Sequence, residues 1–217
     1  MRLVLLGAPG AGKGTLAKDL VNHLNIPHIS TGDMFREAVA AGTELGRKVQ
    51  NIIQSGALVP DEIVNQVVEE RLRKDDCRNG FIFDGYPRTV PQAIALDTIL
   101  SKMSAKLDAV ISLEISEEVV VRRLTNRRVC PKCGRIYNMI SMPPKNDELC
   151  DDCQVRVVIR DDDKEEVVKR RYRLYHELTE PLVDYYRQKG ILIQVDSEID
   201  HQDLVRKVLD RLEKVRT

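Results

Sequence analysis

A glycine-rich turn between an apolar run and an amphipathic segment constrains this chain more than any other feature. Residues 3–6 read Leu-Val-Leu-Leu, and residues 7–15 read Gly-Ala-Pro-Gly-Ala-Gly-Lys-Gly-Thr. From residue 16 to residue 24, apolar residues recur at helical spacing. Glycines let the backbone wrap around an anion with its N–H groups exposed, and a following helix N-terminus adds partial positive charge. A strand, a glycine loop and a helix in this order predict a phosphate-binding loop.

Within this loop, Lys13 is the residue whose charge can reach the terminal phosphates of a bound anion. The general form of such a loop has Ser or Thr directly after the lysine, where the hydroxyl binds Mg²⁺. In this chain Gly14 holds that position and Thr15 follows it. The alternative interpretation is a tight turn with a surface lysine, and the strand and helix on either side argue against it.

The composition is that of one sizeable domain with an aliphatic core. The chain has 217 residues, of which 42% are hydrophobic and only 4% aromatic, with no Trp. Lys plus Arg and Asp plus Glu both number 34, so the net charge gives no indication of nucleic-acid or membrane binding. No apolar stretch has the length of a transmembrane helix, and the run at 3–6 is too short for a signal peptide. We expect a cytoplasmic protein, and a monomer because no exposed apolar stripe is evident.

A second informative stretch lies at residues 81–88, Phe-Ile-Phe-Asp-Gly-Tyr-Pro-Arg. Three apolar residues followed by a carboxylate indicate a buried parallel strand that ends at Asp84, and α/β sheets place their ligands at this end of the strands. In enzymes with a phosphate-binding loop, an aspartate at this position helps to hold Mg²⁺. The alternative role for Asp84 is a helix cap, and the glycine loop in the same chain favours the metal role.

Four of the five cysteines form two Cys-x-x-Cys pairs, Cys130 with Cys133 and Cys150 with Cys153. This spacing is typical of tetrahedral zinc, and four thiolate ligands leave no open position for a catalytic water. We therefore expect a structural zinc ribbon, with short strands at 134–137 and 154–159. A ribbon of this kind can bind nucleic acid, but this one lacks a concentrated basic and aromatic surface.

The order of the predicted elements gives the fold class. Strands at 2–6, 27–30, 81–84, 109–115 and 191–195 alternate with helices, which predicts an α/β fold with a doubly wound, five-stranded parallel sheet. A small helical insertion at 30–59 and the zinc ribbon at 126–163 interrupt a core made of 1–29, 60–125 and 164–217. The helix predicted from about 164 to 188 contains Pro181, which should kink it.

These motifs, taken in order, resemble those of the adenylate kinase family. The resemblance rests on the glycine loop, on Ser-Thr-Gly-Asp-Met-Phe-Arg at 30–36, on Asp-Gly-Tyr-Pro-Arg at 84–88, and on an arginine-rich run at 122–128 before the cysteine pairs. It extends over nearly the whole chain and is nearest to the bacterial form with a long, zinc-containing lid. It implies reversible transfer of a phosphoryl group from MgATP to AMP, with 30–59 binding AMP and 126–163 forming the lid.

The resemblance also assigns roles to individual residues. It implies ATP binding by Gly10, Ala11, Gly12, Lys13, Gly14, Thr15, Arg123, Arg127, Ile136, Tyr137 and Ile199. It implies AMP binding by Thr31, Arg36, Ala57, Leu58, Val59, Gly85, Tyr86, Pro87, Arg88, Gln92, Arg160 and Arg171. Catalysis would rest on Lys13, Arg88, Arg123, Arg160 and Arg171, while Asp84 and Asp33 would orient water on Mg²⁺.

Two alternatives stay open at the level of the sequence. The acceptor could be another nucleoside monophosphate or a small hydroxyl compound, although Thr31 and Gln92 at the positions that meet adenine favour AMP. A protein of a different class, a nucleotide-binding switch or a zinc-ribbon adaptor, would also carry the glycine loop and the cysteines. That alternative leaves the set Arg36, Arg88, Arg123, Arg160 and Arg171 without a purpose.

Overall fold

The computed structural model describes residues 1–216, with side chains described as far as Val215. Its strands are β1 (Arg2–Gly7), β2 (His28–Ser30), β3 (Phe81–Asp84), β4 (Ala109–Glu114), β5 (Arg127–Val129), β6 (Ile136–Asn138) and β7 (Leu192–Asp196). Its α-helices are α1 (Lys13–Leu24), α2 (Thr31–Ala40), α3 (Glu44–Gln54), α4 (Asp61–Leu72), α5 (Val90–Lys102), α6 (Glu117–Thr125), α7 (Glu165–Leu174), α8 (Pro181–Gln188) and α9 (His201–Arg216). None of the helices in this described part of the chain combines the length and the apolar character needed to cross a bilayer.

Five strands form one parallel sheet in the order β2-β3-β1-β4-β7. The central strand β1 is buried on both faces: Leu3 and Leu5 pack toward α1 and α9, whereas Val4 and Leu6 belong to the core on the opposite face. Because both faces are covered by helices, the strands consist of nearly continuous apolar runs. The predicted α/β fold with a five-stranded parallel sheet is therefore confirmed.

The insertion at 30–59 forms the two helices α2 and α3, but it does not have a core of its own. Phe35 and Val49 are buried in the same apolar cluster as Phe83 of the sheet. The sequence suggested a small subdomain that stands off the main core, and in the structure its apolar residues pack against the cluster of the sheet. Two short helices have too little apolar surface to bury between themselves, so they share the core of the sheet.

The predicted helix at 164–188 is divided into three parts. A five-residue π-helical turn, Tyr175–Thr179, separates α7 from α8. In this turn the Glu180 N–H donates to the Tyr175 carbonyl at 2.9 Å. The hydrogen bond spans five residues, one more than in an α-helix. Pro181 lies in the first turn of α8, where its missing N–H is tolerated. The break is at the predicted position, and it takes the form of a wide turn followed by a new helix.

The second insertion has the antiparallel pair β5 and β6 and a small core of its own. Tyr137 and Val157 are buried there beside the cysteines. Of the two predicted ribbon strands, the one at 134–137 is present as β6. The one at 154–159 makes only isolated bridges, from Val158 to Val129 and from Arg156 to Leu149. The prediction of a strand there was wrong, because its partners are too short to continue the pairing.

The close contact between α2 and α3 gives a testable prediction about stability. A Cβ atom on Gly46 would lie 2.1 Å from the Ala38 carbonyl oxygen, a backbone atom that cannot move by itself. We expect Gly46→Ala to destabilise the protein by about 1–3 kcal/mol, as overpacking does. Denaturant unfolding measures the change, with Asn51→Ala on the exposed side of α3 as the control. Equal stability of the two variants would contradict the packing described here.

Candidate active site

The glycine loop has a backbone that only glycine adopts readily. Gly10 and Gly12 have positive φ angles of 84° and 92°. At Gly7 a Cβ atom would lie 2.8 Å from the Leu113 carbonyl oxygen of β4. Helix α1 begins directly after Gly12, so its first N–H groups face the loop with no capping side chain in the way. The loop is thus an anion cradle at the C-terminal end of β1.

Lys13 is partly buried in this loop, and its pKa is perturbed. Its ammonium group donates to the Gly7 carbonyl at 2.7 Å and to the Ala8 carbonyl at 3.0 Å. Burial lowers the pKa of Lys13 to about 8, and the nearby positive charges of Arg88 and Arg171 lower it further against the opposing effect of Asp84. A phosphate in the loop would raise this pKa again, because its negative charge favours the ammonium form.

Asp84 lies at the end of β3, next to the start of α1, as the sequence predicts. A Cβ atom on Gly14 would come within 3.4 Å of its Oδ2 atom, and His28 Nε2 lies 3.5 Å from the same oxygen. Burial opposes ionisation, but the contacts with His28 and Lys13 outweigh it and hold the pKa of the carboxyl below its ordinary value. Asp84 is therefore an ionised carboxylate beside the phosphate-binding loop.

Two adjoining clefts open above this end of the sheet. The first is lined by Thr31, Gly32, Phe35, Arg36, Ile53, Gly56, Ala57, Leu58, Val59, Val64, Gly85, Arg88, Gln92, Asp162 and Arg171. The second is lined by Leu5, Leu6, Gly7, Pro9, Lys13, Gly56, Leu58, Gly85, Pro87, Arg88, Arg171, Leu174, Tyr175 and Thr179. Arg88 and Arg171 line both clefts, so their positive charges lie where two anions would meet.

Carboxylates that the sequence analysis did not select hold the arginines in place. Asp163, whose side chain is fully buried, accepts two hydrogen bonds from Arg127 at 2.7 and 2.6 Å. Asp162 forms an ion pair with Arg171 at 2.9 Å. The run Arg-Asp-Asp-Asp at 160–163 could have indicated these carboxylates. An acidic run next to a functional arginine can pair with cations elsewhere in the site.

The other predicted arginines are spread around the same region. Burial and the neighbouring guanidinium groups lower the pKa of Arg88 and that of Arg160 to about 10 each, so both stay charged at neutral pH. Arg36 donates to the Asp33 carboxylate at 2.6 Å. Asp33 is one of the two aspartates that the resemblance places near Mg²⁺, so part of its carboxylate is already hydrogen-bonded. Arg123 lies on the side of the glycine loop, where it donates to the Ser197 carbonyl at 2.9 Å.

The segment that carries Arg88 is fixed by several hydrogen bonds. The Thr31 hydroxyl donates to the Gly85 carbonyl at 2.9 Å, and the Arg88 N–H donates to Gln92 Oε1 at 2.7 Å. Gln92 in turn donates to Asp61 at 2.7 Å, a residue that the sequence gave no reason to select. Thr31 and Gln92 both line the first cleft, and each already makes hydrogen bonds within the protein.

Several predicted site residues line neither cleft, and four of them lie away from the phosphate-binding end of the site. Tyr86 is fully buried in the core, where its hydroxyl donates to Asn65 at 2.8 Å. Ile136 lies on β6 and lines neither cleft, and Ile199 packs against the core between β7 and α9. Tyr137 is turned into the cysteine cluster, so its side chain does not present a surface to a nucleoside.

The four paired cysteines converge on one point. The sulfur atoms of Cys130, Cys133, Cys150 and Cys153 all lie within 4.8 Å of one another. The Cys133 and Cys150 sulfurs are 3.6 Å apart, near the ~3.8 Å that a tetrahedron with zinc–sulfur bonds of about 2.3 Å requires. The Tyr137 hydroxyl donates to Cys150 Sγ at 3.4 Å. Burial opposes ionisation of the Cys150 thiol, but this bond and two backbone N–H groups hold its pKa below the ordinary value.

The fold and the site together define the class of the protein. A glycine loop with a partly buried lysine at the end of a parallel strand identifies an α/β protein that binds nucleotide phosphates. Two clefts that share arginines are what a phosphotransferase needs to hold a donor and an acceptor side by side.

Comparison with known proteins identifies the family. The family model described as adenylate kinase matches residues 5–191. A protein named adenylate kinase from Pseudothermotoga lettingae is 72% identical over 215 residues, which is 99% of each chain. An adenylate kinase from Thermotoga neapolitana is 58% identical over 208 residues, covering 95% of this chain and 94% of its own. The chain belongs to the adenylate kinase family, as the motifs in the sequence led us to expect.

The cysteine geometry predicts that metal contributes to stability. Because the binding energy of a structural four-cysteine site is also folding energy, we expect Cys130→Ser to abolish stoichiometric zinc and to lower the melting temperature. Metal analysis and thermal unfolding measure both effects, and amide exchange should show the sheet still folded. Cys77→Ser is the control for metal content, because Cys77 lies outside the cluster. Unchanged zinc content and stability in the Cys130 variant would rule out the site.

Proposed function

We propose that this protein catalyses reversible, Mg²⁺-dependent transfer of a phosphoryl group from ATP to AMP, which gives two ADP. The main support for this proposal is that Arg88 and Arg171 line both of the adjoining clefts. A protein that only binds one nucleotide has no need for two cationic side chains between two cavities. The names of the relatives, all adenylate kinase, support the same activity.

ATP is assigned to the second cleft and the glycine loop. We propose that Gly10, Ala11, Gly12, Lys13, Gly14 and Thr15 hold its phosphates, with Lys13 on the group that is transferred. Arg123 lies beside the loop and Arg127 is aimed by Asp163, so both can bind phosphate oxygens. Ile136 and the backbone near Ile199 would flank the nucleoside. The buried position of Tyr137 restricts that residue to a supporting role beneath Ile136.

AMP is assigned to the first cleft, whose lining contains most of the residues that the family resemblance selects. Thr31, Arg36, Ala57, Leu58, Val59, Gly85, Arg88 and Gln92 all line it. Phe35, Ile53 and Val64 add apolar walls that suit a flat base. Arg36 and Arg171 carry the positive charge that an α-phosphate needs, and Arg160 adds to it from nearby.

Electrostatic positioning accounts for catalysis without a general base. The nucleophile is a phosphate oxygen of AMP that is already ionised, so no proton has to be removed. Charge on the transferring group spreads over its equatorial oxygens, and preorganised cations stabilise it. Arg88 and Arg171 line both clefts and Lys13 lines the second. We propose that Arg123 and Arg160 add their charge when the nucleotides are bound. Closure of 30–59 and 126–163 over the clefts would exclude water as a competing acceptor.

Asp84 is the residue that best fits a role toward magnesium. It is ionised and borders the loop, while Gly14 supplies no hydroxyl to bind the metal directly. We propose that Asp84 orients water molecules on the ion, and Mg²⁺ bound with ATP supplies charge neutralisation across the phosphates. Asp33 is assigned a lesser part in this arrangement, because its carboxylate is engaged by Arg36.

The remaining proposals concern organisation. Residues 1–29, 60–125 and 164–217 form the core, 30–59 the AMP-binding insertion and 126–163 a lid stabilised by zinc. The separate small core of the lid, with its convergent thiols, supports a structural role for the metal. Paired cysteines that bind metal are typical of a reducing compartment, which supports a cytoplasmic location. We propose that the enzyme acts as a monomer.

The perturbed pKa of Lys13 predicts a specific pH dependence. In the free enzyme the lysine has a pKa of about 8, and only its charged form attracts phosphate. We therefore expect kcat/KM for ATP to be flat below pH 8 and to fall about tenfold per unit well above it. Bound phosphates raise this pKa, so the fall in kcat should occur at higher pH.

Steady-state profiles between about pH 6 and pH 10 test this expectation. Lys13→Met is the matched variant: it should lack the alkaline fall and lose on the order of 10²–10⁴ in turnover. A value of kcat/KM for ATP that stays constant up to pH 10 in the wild type would contradict the assignment of Lys13.

A bisubstrate compound tests the two-cleft architecture. Two adenosines joined by five phosphates should fill both clefts at once, and the linkage makes the second contact intramolecular. We expect binding ~10²–10⁴-fold tighter than that of ATP or AMP alone, with one molecule per chain by calorimetry. Affinity no better than that of ATP would mean that the two clefts do not act together, and the proposed transfer reaction would be wrong.

A further inference from the structure

The backbone of Arg88 is held at both of its polar groups. Its N–H donates to Gln92 Oε1 at 2.7 Å, and its carbonyl accepts a hydrogen bond from the Thr179 hydroxyl at 2.9 Å. The side chain is tied as well, because Arg88 Nε donates to the Gly85 carbonyl at 2.9 Å. Of these contacts, the one from Thr179 comes from a distant part of the chain, 91 residues away.

Thr179 lies where it can fix the orientation of Arg88. It is 7% exposed, lines the second cleft and is the last residue of the π-helical turn that follows α7. Helix α7 carries Arg171, the other arginine that lines both clefts. The wide turn changes the direction in which the side chains project before Pro181. Turns of the π-helical kind are frequent at functional sites. The turn thereby joins the segment that bears Arg171 to the loop that bears Arg88.

We propose that Thr179 is a positioning residue for phosphoryl transfer, which acts by fixing the peptide that follows Arg88. The inference rests on the proposed function of the two clefts. With the hydroxyl in place, rotation of the Arg88 backbone is blocked on both sides, and the guanidinium stays between donor and acceptor. Without it, the partly buried carbonyl loses its partner and the peptide turns to find another. The charge then moves away from the point where the two clefts meet.

Thr179→Val tests this inference, because it removes the hydroxyl and keeps the shape of the side chain. We expect kcat/KM for AMP to fall about ten- to a hundredfold through both a lower kcat and a higher KM. The KM for ATP should stay within about twofold, since the glycine loop is untouched. Thr179→Ser restores a hydroxyl and should recover activity to within about threefold.

Thr98→Val is the matched control, because the Thr98 hydroxyl donates to the Ile94 carbonyl at 3.0 Å on the exposed side of α5. It should leave all kinetic constants unchanged. Thr179→Ala provides the same test if the Val variant does not fold, with melting temperatures measured for every variant. Unchanged kcat/KM for AMP, an equal rise in both KM values, or failure of Thr179→Ser to rescue a folded protein would each overturn the inference.

Calorimetric binding of AMP and of ATP separates this inference from the proposed function. A wild-type protein that binds both nucleotides but forms no ADP would reject the proposed reaction. The role of Thr179 would then be decided by affinity: it holds if the Val variant weakens binding of AMP and leaves binding of ATP unchanged. It fails if the two affinities change together or if neither changes.

Discussion

Positive charge withdrawn from water is the constraint around which this site is built. Burial lowers the pKa values of Lys13, Arg88 and Arg171, and neighbouring positive charges lower them further: Arg88 and Arg171 act on Lys13, and Arg171 acts on Arg88. Such a group of charges is unfavourable unless carboxylates or an anionic ligand offset it. Asp84 and Asp162 supply part of the compensation inside the protein. The phosphate groups of a nucleotide would supply further negative charge to offset these cations.

The parallel sheet determines where this charge collects. The C-terminal ends of β1 and β3 lie side by side, which brings the glycine loop next to Asp84. Segments from elsewhere complete the site: α7 contributes Arg171, and the turn after it contributes the bond from Thr179 to Arg88. A site assembled from separate segments can open and close, since movement of one segment changes its contacts with the others. The closely packed strands beneath it remain fixed.

The insertion at 126–163, which contains the paired cysteines, is stabilised differently from the sheet. Its small core of Tyr137, Val157 and the cysteines is too limited to be stable by apolar burial alone. A bound metal would supply the missing energy, and the hydroxyl of Tyr137 donates to Cys150 Sγ from outside the ligand set.

The sequence by itself determined those features whose chemistry depends on neighbours along the chain. The glycine loop, the strand that ends at Asp84 and the two cysteine pairs are each specified by local spacing, and the order of the elements predicted the parallel sheet. Only the tertiary structure decided which side chains meet across long separations. It paired Asp163 with Arg127, turned Tyr137 toward the cysteines and set Thr179 against Arg88. These contacts depend on how the helices pack over the sheet, and side-chain spacing in one segment carries no information about that packing.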